Sequence, residues 1–232
     1  VGINTRMIYL LYDDGSRSER VILNELGSCK GIIQSDGYSP YRKLESDAYP
    51  HITRIPCLQH IKRKFIDSGE NDPDVKRSVE LINKLYQNEH KHKVGVDGWT
   101  AEQHLAHRKK YALDILGEIK DVLDEIEERG DLLPKSELRE AITYLRNEWN
   151  AVVDIFNYGD TFLDNNIVER MNRYISLSRK NSLFFGSHKG AERGAILYTI
   201  ALTCRMHKVN LFEYLTDVIN RTAEWQPNTP IE

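Results

Sequence analysis

Apolar positions recur along this chain with two different periods, and the change between them divides it. Met7 to Tyr12 (MIYLLY) is a short, apolar, aromatic-rich run ended by Asp13-Asp14-Gly15, which predicts a buried strand closing in a turn. Val21, Ile22 and Leu26 fall at helical spacing within residues 18–26, and Gly27 is placed to stop that helix. Gly31-Ile32-Ile33-Gln34-Ser35 predicts a second strand, which runs directly into Asp36-Gly37-Tyr38 and so puts an aspartate at a strand's carboxyl end. Ile52 and Ile55 alternate with polar residues before Pro56, predicting a further strand that ends near Cys57.

From about His60 to Tyr158 the period becomes helical. Val75, Val79, Ile82 and Tyr86 form one stripe, and Leu105, Ile115, Ile119, Val122 and Ile126 fall mostly on another. Thr100-Ala101-Glu102-Gln103 has the form of a capping box and predicts a helix start after the loop that contains Gly98. Pro134 interrupts the pattern; Leu138, Ala141, Ile142, Leu145, Trp149, Val152 and Phe156 resume it. Residues 164–177, 190–208 and 211–222 are amphipathic in turn. The predicted organisation is a strand-rich part at 1–60, a helical insertion at 61–160, returning helices at 161–222 and a tail at 223–232. The class is α/β with a large all-α insertion. Too few strands are present for a complete sheet, and residues 1–15 lack an initiator Met, so the expectation is a core whose first strand precedes Val1.

Composition narrows the class. With 232 residues, 40% of them hydrophobic, the chain can bury a substantial core. No apolar run approaches the ~20 residues of a membrane span, and three scattered cysteines do not make a disulfide framework, so a cytoplasmic protein without a membrane partner is expected. The net charge of −3 opposes nucleic-acid binding only on average. Residues 165–208 carry eight Lys/Arg against two Asp/Glu, and residues 51–65 carry four against none. Residues 117–148 carry ten acidic and five basic side chains, so the acidity is segregated and one face is free to meet DNA.

Two carboxylates stand where chemistry can be built. Asp36 would project from a rigid strand end, the usual place for a ligand in an α/β sheet, although an Asp-Gly pair also makes an ordinary turn. Glu169 lies three residues after Asn166, the spacing of a helix cap and its partner, near the positive end of a helix where an ionised carboxylate is favoured. Arg170, Arg173, Arg179 and Lys180 follow, interleaved with Asn and Ser, a mixture suited both to a solvated face and to phosphate contact. Cys57 and His60 resemble half of a zinc site, but no second pair follows, and a buried Cys beside an ordinary His is expected. His90, His92, His104 and His107 are expected to face solvent. No Walker loop, G-x-G-x-x-G or G-x-S-x-G motif is present.

Four ordered blocks carry a resemblance: GIIQSDGYSPY at 31–41, CLQHIKRKF at 57–65, LINKLYQNE at 81–89 and FLDNNIVERMNRYISLSRKNSLFFGSHKG at 162–190. Together they resemble the insertion sequence sixty-six family of bacterial transposases. The resemblance implies a ribonuclease-H-like core with a helical insertion, and a DDE triad of acids whose second and third members fall on Asp36 and Glu169, 133 positions apart. The first would lie before Val1, since Asp13 and Asp14 fall at a turn after a later strand. It also implies two divalent ions, Mg²⁺ or Mn²⁺, about 3.5–4 Å apart, serving in-line phosphoryl transfer. Water would open a transposon end, and the freed 3′ hydroxyl would attack target DNA. Lys62, Arg63, Lys64, Arg170, Arg173, Arg179 and Lys180 are the expected contacts to the DNA backbone. Asn165 and Asn166 would cap the helix and orient Glu169. Double-stranded DNA is the expected partner, with a homo-oligomer when two ends are synapsed. Asp36 and Glu169 should approach within reach of one metal pair, and without the first acid these 232 residues alone should be inactive. A non-catalytic DNA-binding or assembly role, or another ribonuclease-H-like nuclease, is the alternative.

Overall fold

The computed structural model describes residues 2–3, 7–16, 18–91, 98–178, 180–181, 184–223 and 225. These are mostly helical with two small two-stranded sheets, one of them parallel. The chain divides into two compact units: residues 18–165, and a smaller unit formed by residues 1–17 with 166–232.

The larger unit starts with α1 (Glu19–Leu26), which ends at Gly27 as its sequence predicts. Strand β3 (Gly31–Ser35), counting β1 (Gly2–Ile3) and β2 (Ile8–Tyr9) before it, pairs in parallel with β4 (Ile52–Pro56), Gly31 opposite Ile52 and Ser35 opposite Pro56. A crossover containing α2 (Ser39–Arg42) and a 3₁₀ turn at Lys43–Glu45 joins them. Both strands match the expected positions. Four helices follow: α3 (Leu58–Asp67), α4 (Pro73–Lys91), α5 (Ala101–Glu128) and α6 (Glu137–Ile155). Helix α3 packs on α4 and α6, α4 on α5, and β4 on α6. Ile61, Phe65, Ile82, Leu123, Ile126 and Ile142 are fully buried between them. Each contributes roughly 1.5–3 kcal/mol relative to exposure, and Ile55 of β4 belongs to the same cluster, so these helices and the parallel pair share one core.

The capping box at the start of α5 is complete: Thr100 Oγ1 accepts from the Gln103 N–H at 3.3 Å, and Gln103 Oε1 accepts from the Thr100 N–H at 2.9 Å. His104 departs from the expectation of solvent exposure. It is buried, its Nδ1 sits 2.6 Å from the Gly159 carbonyl and its Nε2 3.3 Å from Glu89. His107 is half-buried beside Trp99 and Tyr111. These rings lie on a helix packed by its neighbours, which local polarity does not report. The side chains of His90 and His92 lie outside the described residues.

In the smaller unit, MIYLLY does not form one continuous buried strand. Only Ile8–Tyr9 is strand, antiparallel to Gly2–Ile3, with Ile8 fully buried while Met7 and Leu11 are exposed. Helix α8 (His188–Met206), following α7 (Asn166–Ser178), completes the hydrogen bonding of this segment. Thr203 Oγ1 accepts from the Ile8 N–H at 3.1 Å and donates to the Ile8 carbonyl at 3.0 Å, and Thr199 Oγ1 accepts from the Leu10 N–H at 2.9 Å. Threonine hydroxyls thus replace a neighbouring strand for backbone groups that must find partners. Helix α9 (Leu211–Ala223) closes the unit and contains no buried residue.

Candidate functional site

Strand β3 delivers Asp36 to its carboxyl end, where the side chain is half-buried. Asp36 Oδ1 accepts from the Tyr38 N–H at 3.1 Å, an Asx-type turn that orients the carboxylate. Oδ2 accepts no hydrogen bond from a described residue. Beneath the turn lies a charged network. Arg54, on the neighbouring strand and 2% exposed, pairs with Glu148 of α6, which is fully buried, and with Glu45. Its Nη1 also reaches Ser35 Oγ at 3.3 Å and the Asp36 carbonyl at 3.4 Å. Arg42 Nε lies 2.8 Å from Glu148 Oε1, an ion pair without hydrogen-bond alignment. Burial opposes the Arg54 charge, but the Glu148 and Glu45 carboxylates outweigh it and raise its pKa above the usual value.

Tyr144, one turn before Glu148 on α6, closes over the same turn. A Cβ on Gly37 would meet the Tyr144 hydroxyl at 2.0 Å, so the residue after Asp36 must be glycine for this packing, quite apart from any need for a sharp turn. Burial pushes the Tyr144 phenol up to about 12, the charges of Glu148 and Asp36 adding to the shift and the Gly37 N–H opposing it. Sequence reasoning missed Tyr144, Glu148, Arg54 and Arg42. The available signal was Glu148 itself, a charge set in the apolar stripe of Leu138, Ala141, Leu145 and Val152.

Of the predicted backbone contacts in this unit, Lys62, Arg63 and Lys64 lie on α3; Arg63 and Lys64 are exposed and Lys62 is half-buried. None has an acidic partner among the described residues, and Lys64 Nζ sits 5.7 Å from the centre of the Tyr144 ring. These three cations lie on the helix that follows β4, and the partner strand β3 leads into Asp36.

A second buried network fixes the segment that follows α6. Arg108 of α5, 1% exposed, meets both oxygens of Glu89 at 2.7 Å and donates to the carbonyls of Ile155 at 3.1 Å, Tyr158 and Thr161 at 2.8 Å. The fork of the guanidinium ties α4, α5 and the turn after α6 together as a lysine could not. Beyond that turn the Leu58 N–H donates to the Leu163 carbonyl, and the Asn165 N–H meets Cys57 Sγ at 3.5 Å. Cys57 is buried and burial raises its thiol pKa, which opposes metal ligation as a thiolate.

In the smaller unit Glu169 falls in the first turn of α7, half-buried. The helix begins at Asn166 itself, so the cap position falls at Asn165, but the buried Asn165 Oδ1 accepts no hydrogen bond from a described residue and does not cap the helix as expected. Arg170 and Arg173 on α7 and Lys180 after it are exposed, and none has an acidic partner among the described residues. Arg179 lies outside the described residues. Arg205 of α8 stacks its guanidinium 4.2 Å from the Tyr174 ring centre, and the Tyr198 hydroxyl donates to Ser178 Oγ at 2.5 Å, joining α7 to α8. The Phe-Phe-Gly-Ser sequence ends in the cap of α8: Ser187 Oγ accepts from the Gly190 N–H at 3.0 Å.

Among the described residues no group of three His, Cys, Asp or Glu side chains could by itself hold a metal ion. Asp36 fits one part of such a site, a hard oxygen donor with an open lone-pair direction on a braced turn. No described helix is long and apolar enough to cross a membrane.

The described residues thus combine a carboxylate at a braced strand end with exposed basic residues on α3 and α7. The chain belongs to the Transposase IS66 family, whose family model matches residues 3–193. It is similar to three uncharacterized proteins of Sinorhizobium fredii (strain NBRC 101917 / NGR234). These are y4jD, 29% identical over 213 residues, y4hP, 32% over 211, and y4qI, 29% over 239. The matches cover 89%, 84% and 100% of this chain but 40%, 37% and 43% of the relatives, so it spans about two-fifths of their length. No solved structure matches the chain.

Proposed function

We propose that this chain is part of the catalytic domain of a DDE transposase, built on a ribonuclease-H-like core, that cleaves transposon-end DNA and joins it to a target. The observation that carries the reading is Asp36 on its braced strand end, in a chain of the Transposase IS66 family. Asp36 and Glu169 are the second and third acids of that site. The reading requires Asp36 and Glu169 to approach each other across the insertion.

Divalent ions such as Mg²⁺, held by these acids, would activate the attacking oxygen and stabilise the leaving one. The chain's own residues do the rest. The Tyr38 N–H holds one oxygen of Asp36 and leaves the other available as a ligand. Glu169 stands in the first turn of α7, half-buried. Lys62, Arg63, Lys64, Arg170, Arg173, Arg179 and Lys180 neutralise phosphates, positioning double-stranded DNA without reading its sequence. Asn166 begins α7, three residues before Glu169. Synapsis of two ends calls for at least a dimer.

The test is made on the full-length protein with its transposon-end duplex. Mg²⁺- or Mn²⁺-dependent nicking and joining are expected, and Asp36→Asn and Glu169→Gln should each abolish both while leaving duplex binding intact. Undiminished cleavage by either variant would overturn the assignment. Duplex binding with a salt slope, but no cleavage by the parent protein, would instead support a DNA-binding or assembly role.

A further inference from the structure

Helix α5 is divided in charge and in surface. Residues 103–113 (QHLAHRKKYAL) carry Arg108, Lys109 and Lys110 and no acid, whereas residues 114–128 carry seven acids and one lysine. Arg108 turns inward to its buried network, while Lys109 and Lys110 are exposed. Between the lysines and the start of the helix lies a shallow groove of about 480 Å³, lined by Trp99, Gln103, Ala106, His107, Lys110 and Tyr111.

Its rings form a continuous aromatic wall. Trp99 meets His107 edge-on with ring centres 5.5 Å apart, His107 meets Tyr111 at 4.6 Å, and Lys110 Nζ lies 5.2 Å from the Tyr111 ring centre. Tyr111 is 40% exposed. The capping box holds the wall in place, because Gln103 and Thr100 are bonded to each other immediately beside Trp99. Since Gln103 Oε1 is taken by the Thr100 N–H, its amide NH₂ points the other way and is available as a donor. Aromatic faces, a cation and an amide donor around an open groove are what a single nucleobase and its phosphate would use. Base stacking on such a surface tolerates any base, because every base has a π-face.

We infer that the groove of Trp99, His107 and Tyr111 is a stacking platform for an unpaired base of a DNA strand, with Lys110 on the adjoining phosphate. The inference rests on the proposed handling of DNA ends, since cleaved and frayed ends present unpaired bases. It needs neither metal nor Asp36 and Glu169.

The experiment measures binding of the 232-residue chain, in EDTA, to a short fluorescent oligothymidylate, to the same oligonucleotide with abasic sites, and to a blunt duplex of equal length. The thymidylate should bind about tenfold more tightly than the abasic strand, a contribution of about one stacked base. Trp99→Ala and Tyr111→Ala should each remove most of that difference while keeping the salt dependence; Trp99→Phe should retain it. Lys110→Ala should weaken both single strands equally and lower the salt slope by about one. The assay holds no metal and reads binding alone, so failure of the catalytic reading leaves this result standing. Equal binding of the abasic strand would overturn the inference. So would an unchanged thymidylate preference in a folded Trp99→Ala chain, checked by circular dichroism.

Discussion

Replacing Glu148 with glutamine should destabilise the larger unit more than any surface change of equal chemistry. The side chain is fully buried, and Arg54, its partner, is 2% exposed, so the substitution leaves a guanidinium charge in the interior. Breaking a buried pair from one side costs about 3–5 kcal/mol. Arg54 keeps Glu45, the Ser35 hydroxyl and the Asp36 carbonyl, which places the cost at the lower end, about 3 kcal/mol. For a chain of this size each kcal/mol moves Tm by roughly 2–4 °C, so a fall of about 6–12 °C is expected. Thermal unfolding followed at 222 nm, with the urea midpoint as a second measure, reads it directly. The double variant Arg54→Met/Glu148→Met removes both charges and should recover at least half of the loss, since a buried pair often does no better than apolar groups of similar volume. A Glu148→Gln chain within 0.5 kcal/mol of the parent, or a double variant as unstable as the sum of its parts, would refute the argument that the pair is buried and coupled.

Three further outcomes follow from particular residues. The unfolded Tyr144 phenol ionises near its ordinary value of about 10 and the folded one near about 12, so its contribution is fully present below pH 10 and is lost as pH rises toward 12. Urea titrations across that range should show the decline, and it should be smaller in Tyr144→Phe. Arg108→Lys loses the bidentate pair with Glu89 and most of the carbonyl contacts of the 155–161 turn, and should cost about 3 kcal/mol in urea unfolding. Of the three thiols, Cys29 is half-exposed while Cys57 and Cys204 are buried, and the Cys57 thiol pKa is raised. One thiol should react with Ellman's reagent in the native chain and three in denaturant.

Much of the fold is legible in the residue pattern. The parallel strands β3 and β4, α1 with its stop at Gly27, and the capping box at Thr100 all rest on short-range rules: alternation, a breaker, and a pair of side chains three residues apart. The strand-end position of Asp36 follows from the same rules. MIYLLY misleads because an apolar run says that a segment is buried without saying by what. Here α8 threonines satisfy part of its backbone, and a two-residue strand suffices. His104 and Arg108 have the pattern of solvent-facing residues of a polar helix, yet both are buried, because their partners Glu89 and residues 155–161 are distant in sequence.

Asp36 shows where the division falls. Its place at the end of an apolar strand, before a glycine, is written in residues 31–37, since the pattern of a strand and the freedom of glycine are local properties. The reason that glycine is required lies elsewhere, in Tyr144, more than a hundred residues further on, whose hydroxyl occupies the space a Cβ would need. The charges under the turn are likewise drawn from β4 and α6. Burial and ion pairing depend on which elements meet, and no local pattern encodes that. The sequence alone therefore determined most of the elements and the family, while only the tertiary structure decided that α6 braces the strand end that leads into Asp36.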